Sequence, residues 1–224
     1  MRNIRTFFAV IAIANICASQ LCAQSPAINQ TLVGSIFKGG TDGWKGETDG
    51  ALVAEIAKLR GQITPPKTKA REQPVKPDRD ASSPTGGFIT LKALRGDGQT
   101  LYFSSPNKYG GDRTEAYGGS LVVQFRQVTT RRAANRPFVV LASKQTILFY
   151  FPGKIPGGVW ERIEVPLKEG AGWVNPGKGD GVPATKADFD SVLGALSYLW
   201  IRAEFSAGED RADLAEVRLN KPAP

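Results

Sequence analysis

Leu101-Tyr-Phe-Ser-Ser-Pro-Asn-Lys-Tyr-Gly-Gly-Asp-Arg-Thr-Glu-Ala-Tyr-Gly-Gly-Ser-Leu-Val-Val-Gln-Phe125 is the stretch on which the fold of this 224-residue chain turns. Leu101 and Phe103 alternate with Tyr102 and Ser104, and Ser105-Pro106 ends the alternation. Gly110-Gly111 and Gly118-Gly119 punctuate a loop, after which Leu121, Val123 and Phe125 alternate again. Period two on both sides of a glycine-rich connection predicts strand, loop, strand. The loop carries Tyr109, Tyr117, Asp112, Arg113 and Glu115 but no catalytic motif.

The same pattern extends in both directions. Upstream, 87–94 reads as a strand followed by the turn Gly96-Asp97-Gly98, where glycine supplies free φ. Downstream, 137–142 is a continuous apolar run, and Ile147, Phe149 and Phe151 share one face of a strand over 145–151. In the strand over 159–167, Ile163, Val165 and Leu167 face one way and Trp160, Arg162 and Glu164 the other. In 198–205, Leu199, Ile201, Ala203 and Phe205 point inward, and Tyr198, Trp200, Arg202 and Glu204 point away. A closing strand covers 213–219, and a first strand lies in 30–38, before the turn that leads to Trp44.

Thr185-Lys-Ala-Asp188 has capping-box spacing, with Asp in place of Glu. Phe189, Val192, Leu193 and Leu196 then repeat at helical intervals, predicting one helix over 185–196. Residues 51–59 fit two templates: Leu52, Val53, Ile56 and Leu59 suit a helix, and Leu52, Ala54 and Ile56 suit a strand. The β surroundings decide for strand. The segment 61–86 holds Pro65-Pro66, Pro74, Pro77 and Pro84, several cations and almost no large apolar residue. Such a segment cannot bury enough surface to offset its ordering entropy, so a disordered insert is expected there.

Many short strands between turns, with one short helix, make an all-β fold: an antiparallel β-sandwich. All-β units often use about 200–250 residues as one domain, so 24–224 is read as a single domain. Residues 1–23 have the form of a secretory signal peptide, with Arg2 and Arg5, an apolar core from Phe7 to Ile16, and Leu21-Cys22-Ala23 before the cut. Cys17 and Cys22, the two cysteines of the chain, fall in that leader, which leaves no disulfide or thiolate site after cleavage. The expected location is secreted or periplasmic, with no membrane anchor once the leader is cut. The chain has no histidine, which excludes His-based triads and His zinc sites. Its formal charge of +8 is dispersed, and no basic helix or RNP-like run points to nucleic acid.

Tyr102-Phe103-Ser104-Ser105-Pro106-Asn107-Lys108-Tyr109-Gly110-Gly111-Asp112, followed by Ala116-Tyr117-Gly118-Gly119-Ser120-Leu121, resembles the laminin B domain (laminin IV type A). Val165-Pro166-Leu167 with Glu169 and Trp173, the segment Phe189 to Leu196 with Ile201-Arg202-Ala203, and Phe37 to Trp44 extend the resemblance in the same order. It implies an exported jelly-roll sandwich, similar to galactose- and carbohydrate-binding modules, with no catalytic role. One departure is Leu214-Ala215-Glu216-Val217, where the family usually has Leu-Asp-Asn-Val; Ala215 counts against a structural calcium.

The expected function is a non-catalytic binding or structural module. A polysaccharide or matrix glycan is the first candidate ligand, and a protein partner the alternative. The candidate sugar site is Tyr150, Trp160, Arg162, Tyr198, Trp200 and Arg202. Aromatic rings stack on the C–H face of a pyranose while charged groups bond its hydroxyls, provided that these strands adjoin. The competing reading has the face covered by the helix, a loop or the other sheet. No cofactor is expected, apart from a structural calcium if the first and last strands bring Asp42 and Asp213, with Asp49, together. Glu161, Glu164 and Glu169 are the carboxylates that a glycan hydrolase would need, and surface charge is their simpler reading.

Overall fold

The computed structural model describes residues 30–61, 71–93, 99–128, 136–154, 156–206 and 209–224. The leader 1–23 with both cysteines, residues 62–70 of the Pro-rich segment and the Gly96-Asp97-Gly98 turn lie outside these residues.

In chain order the elements are β1 (Thr31–Ile36), β2 (Lys45–Thr48), α1 (Gly50–Leu59), β3 (Glu72–Gln73), β4 (Lys76–Asp78), β5 (Phe88–Ala93), β6 (Leu101–Ser104), β7 (Ser120–Gln127), β8 (Val139–Ala142), β9 (Ile147–Tyr150), β10 (Glu161–Pro166), β11 (Trp173–Val174), α2 (Lys186–Leu193), β12 (Tyr198–Arg202) and β13 (Asp210–Asn220). The strands form two antiparallel sheets. One runs β10-β7-β13-β5-β4, with β1 also on β13; the other runs β11-β9-β8-β12-β6-β2-β3. Strand β13 is long enough to take β5 along Asp210–Leu214 and β1 along Glu216–Asn220 on the same edge. The result is an antiparallel jelly-roll β-sandwich.

The period-two pattern sends alternate residues into one shared core. Leu121, Val123 and Phe125 of β7 and Leu214, Val217 and Leu219 of β13 meet Phe103 of β6, Leu141 of β8, and Leu199 and Ile201 of β12. Each fully buried side chain of this size contributes roughly 1.5–3 kcal/mol. Helix α2 adds Phe189, Val192 and Leu193 to the same core. Its start is the capping box read from the sequence: Thr185 accepts from the Asp188 amide, and the Asp188 carboxylate accepts from the Thr185 amide at 2.9 Å.

The glycine-rich loop is part of the scaffold. It folds as two 3-10 turns, Asn107–Tyr109 and Thr114–Ala116. The Tyr109 side chain is buried; its hydroxyl donates to the Val217 carbonyl (3.1 Å) and pairs with Ser35 (3.0 Å), which also accepts from the Trp44 indole (2.9 Å). Thus the loop ties β1 to β13. Gly118 has φ +79°, and a Cβ on Gly119 would lie 2.1 Å from the Asn220 carbonyl oxygen.

Two expectations need correction. Residues 50–59 form helix α1, not a strand. Leu52, Ile56 and Leu59 fall on one helical face, and the apolar outer surface of the seven-stranded sheet offers that face a place to bury. Secondly, the 61–86 segment is not disordered throughout. Strand β3 pairs with β2, and β4 pairs with β5, so Gln73-Pro74-Val75-Lys76 steps from the edge of one sheet to the edge of the other. Val75, buried at the step, anchors it.

Candidate functional site

The outer face of the seven-stranded sheet carries Tyr198, Trp200 and Arg202 on β12. In register across the sheet, Trp200 lies between Val140 on β8 and Ser104 on β6, and Tyr198 lies beside Ala142. Helix α1 rests on this face. Leu52 packs with Tyr102, Val140, Ala142, Ile147 and Trp200, and Ile56, Leu59 and Phe149 extend the layer. The Trp200 indole donates to the Ser104 hydroxyl at 2.9 Å, and its ring lies 5.6 Å from that of Tyr102.

Trp200 is therefore covered, with 2% of its surface exposed, whereas Tyr198 keeps 47%. Between the helix and the Tyr198 end of β12 lies a cleft of about 80 Å³, lined by Leu52, Glu55, Val140, Ala142, Ile147, Tyr198 and Trp200. The Tyr198 ring, 5.7 Å from Trp200, stands at this cleft as an exposed aromatic surface. Lys45 and Glu72 form an ion pair nearby. That pair raises the Lys45 pKa, against a smaller opposing effect of desolvation, and the Glu47 and Tyr198 side chains add to the rise. Burial raises the Glu47 carboxyl above its ordinary value, although Ser104 bonds to it.

Arg202 is buried; its Nε donates to the Glu204 carbonyl at 2.6 Å and its Nη1 to the Arg136 carbonyl at 3.0 Å. Desolvation lowers its pKa. It stitches backbone together and is not free to meet a sugar. Tyr150 points to the opposite side of the sheet, into the main core, with its ring 5.3 Å from Trp173.

Arg162 belongs to the other sheet, and Trp160 lies just before its strand β10. Strand β10 is an edge of the six-stranded sheet, so it does not adjoin β12, and the single aromatic face expected from the sequence is not assembled. Alternation shows which residues share a face of one strand; it does not show which strands share a sheet. The Arg126 guanidinium lies 4.5 Å from the Trp160 ring centroid, and Phe88 packs edge-on against the same indole. Arg162 donates to Glu164 at 2.6 Å. Of the six expected residues, the structure leaves Tyr198 and Trp200 together at a cleft.

Asp42 and Asp213 are not brought together either. Asp42 pairs with Lys108, which also bonds the Gly34 carbonyl; Gly34 sits opposite Arg218, further along β13 than Asp213. Asp213 has no exposed surface and is held by Arg126 and Arg211. Asp49 accepts from the Thr100 amide at 3.1 Å. Among the described residues no group of three or more potential metal ligands is assembled. At Ala215 the strand bulges, and its carbonyl accepts from the Phe37 amide (3.3 Å) and the Thr85 hydroxyl (3.2 Å). The three glutamates are separately engaged: Glu161 by the Gly157 amide, Glu164 by Arg162 and Glu169 by the Tyr117 hydroxyl.

The cleft-lining residues Leu52, Glu55, Ala142 and Ile147 were not picked out from the sequence. The helical spacing of Leu52, Ile56 and Leu59 is the signal for the α1 wall; nothing local in β8 or β9 marks Ala142 and Ile147 as facing it.

A family model described as laminin B (domain IV) matches residues 102–223. Human laminin subunit alpha-1 is 27% identical over 128 residues, a match that takes in 54% of this chain and 4% of that protein. Among solved structures, the L4b domain of human laminin alpha-2 is similar with a TM-score of 0.47 and 21% identity, over 54% of this chain and 70% of that one. The family 11 carbohydrate-binding module of cellulosomal cellulase Lic26A-Cel5E of Clostridium thermocellum is similar with a TM-score of 0.46 and 12% identity, over 88% of this chain and 96% of that one.

Proposed function

The chain belongs to the laminin B (domain IV) family, and from that premise we propose that it is an exported, non-catalytic binding module that takes a glycan at the cleft beside α1. The observation that carries this reading is the contrast between two neighbours: Tyr198 offers an exposed ring at the cleft, and Trp200 beneath it is locked in place by α1 and Ser104. A rigid exposed aromatic stacks on a sugar's apolar face at small entropic cost, and Glu55 at the rim supplies a hydrogen-bond acceptor for hydroxyls. Export is the part assigned to residues 1–23, with 24–224 as the single folded unit. Among the described residues no helix is long and apolar enough to cross a membrane.

Affinity electrophoresis against a panel of neutral and charged polysaccharides tests the reading. Retention of the wild type that disappears in Tyr198→Ala, with an unchanged thermal melt, is the expected result. Equal retention of the two proteins would overturn the site. A second reading, docking of a protein partner, is favoured by one observation: the cleft is narrow, at about 80 Å³, and walled by Leu52, Ala142 and Ile147. An apolar side chain of a partner would fit it, and Tyr198→Ala would then weaken capture of that partner and leave polysaccharide retention unaffected.

A further inference from the structure

The step Gln73-Pro74-Val75-Lys76 leaves a concave angle where it crosses between the sheets. A cavity of about 330 Å³ lies there, lined by Gln73, Pro74, Lys76, Thr90 and Lys92. It is on the outer side of the six-stranded sheet, away from the α1 cleft. Register puts Lys76 opposite Thr90, and Lys92 opposite Arg211.

The charges around the cavity are unevenly matched. Asp213, opposite Thr90, is fully buried and is bonded by Arg126 and Arg211 together. The second carboxylate on Arg126 is Asp80. Asp78, beyond Lys76, accepts from the Arg79 amide. Lys76 and Lys92 are both exposed, and among the described residues neither has an ion-pair partner. Two uncompensated ammonium groups in one concavity raise the local concentration of anions. The Thr90 hydroxyl, already ordered by Arg211 (3.1 Å), and the Gln73 amide add polar groups, and Pro74 adds an apolar wall.

We propose that this cavity holds the charged group of an acidic sugar unit, a carboxylate or a sulfate ester, carried on a polysaccharide. Its volume suits one sugar ring with its charged substituent. The choice of a sugar as the bearer of the anion rests on the glycan reading above; the anion site itself does not depend on the Tyr198 cleft.

Polygalacturonate, dextran sulfate and uncharged dextran distinguish the cases, with wild type, the double variant Lys76→Gln/Lys92→Gln, and Tyr198→Ala compared in each. The wild type should bind at least one acidic polymer, and raising NaCl from about 50 to about 500 mM should weaken that binding, because salt screens exposed charges. The double variant should bind it about tenfold or more weakly, a difference of about 1.4 kcal/mol, with an unchanged melt. Preference for polygalacturonate names a carboxylate, and preference for dextran sulfate names a sulfate ester. Equal binding by the double variant, or binding to neither acidic polymer, overturns the proposal. Uptake by phosphatidylglycerol vesicles in place of the polymers overturns the sugar assignment. If only dextran binds, and Tyr198→Ala abolishes it, the cleft stands and this site falls; acidic binding that survives Tyr198→Ala but not the double variant gives the reverse.

Discussion

Arg126 grips the buried carboxylate of Asp213 with two nitrogens, Nε at 2.9 Å and Nη2 at 2.7 Å, both on the same oxygen. Arg211 holds the other oxygen at 2.9 Å. The Arg126 guanidinium in turn covers Trp160 and Phe88. One carboxylate thus orders the outer face of the six-stranded sheet from β5 to β10.

Removal of that carboxylate takes away the fully buried anion that Arg126 and Arg211 share and leaves Arg126 with Asp80. Asp213→Ala should cost about 3–5 kcal/mol in urea unfolding, the range for breaking a buried ion pair on one side. Asp42→Ala, which breaks an exposed pair with Lys108, should cost about 1 kcal/mol or less. Equal losses would mean that the buried cluster contributes no more than a surface pair.

The two aromatics of β12 should separate stability from binding. Trp200→Ala empties a site filled against Leu52 and Tyr102 and removes the bond to Ser104, and should cost about 3–5 kcal/mol. Tyr198→Ala removes an exposed ring and should change stability by about 0.5 kcal/mol. Thermal melts of both variants check this, and a large loss in Tyr198→Ala would show that its ring is structural.

Gly119 and Gly111 belong to one loop but differ in what surrounds them. A methyl group on Gly119 would meet the Asn220 oxygen at 2.1 Å and the Lys221 carbonyl carbon at 2.7 Å, so Gly119→Ala must displace the end of β13. Nothing lies within 4 Å of the same position on Gly111, whose φ of +85° is the only obstacle. Gly111→Ala should cost about 1 kcal/mol and Gly119→Ala clearly more, measured by chemical denaturation.

Two carboxylates should move stability in opposite directions with pH. Burial opposes ionisation of Asp188, but bonds from Lys178, Thr185 and Asn175 outweigh it and hold its pKa below the ordinary value. Its contribution is present above the ordinary Asp value of about 3.9 and is lost as pH falls through the lower folded value. Burial raises the Glu47 pKa, so the folded state holds that proton more tightly than the unfolded one. Stability from Glu47 is complete below about 4.3 and is lost as pH rises through the raised value. Glu47→Gln should therefore melt higher than wild type at pH 7, with the difference shrinking toward pH 4. Asp188→Asn should melt lower at pH 7 and converge with wild type in acid. A pH-independent difference in either variant would count against the titration.

The sandwich was legible because its strands are half-buried and alternate. The strand predicted over 159–167 is β10, that over 87–94 is β5, and the capping box at Thr185 starts α2. Strand β4 was hidden for a physical reason. Lys76, Pro77 and Asp78 are all exposed, so the strand is held by backbone bonds along an edge and leaves no side-chain pattern. Helix α1 was hidden because 51–59 fits both periods, and a strand there removes the element that covers Trp200. Of the sugar face, Tyr198 survives as an exposed ring, while Arg202 and Tyr150 point to structural partners. Sheet membership depends on contacts remote in sequence, and no local period encodes them.

Strands β1 and β13 run side by side from Thr31 opposite Asn220, and the Lys221 amide bonds the Gln30 carbonyl at 2.9 Å. Chain therefore enters and leaves the sandwich at one point. Tension applied through Gln30 and Lys221 would load this pairing at a single end, opening it like a zipper, one rung after another. Beyond the first rungs the exposed Lys108 ammonium on the Gly34 carbonyl resists first, and the buried Tyr109 hydroxyl on Ser35 and Val217 stands behind it. In a chain under pull, the buried tyrosine of the glycine-rich loop acts as the stop that keeps the first strand from peeling away.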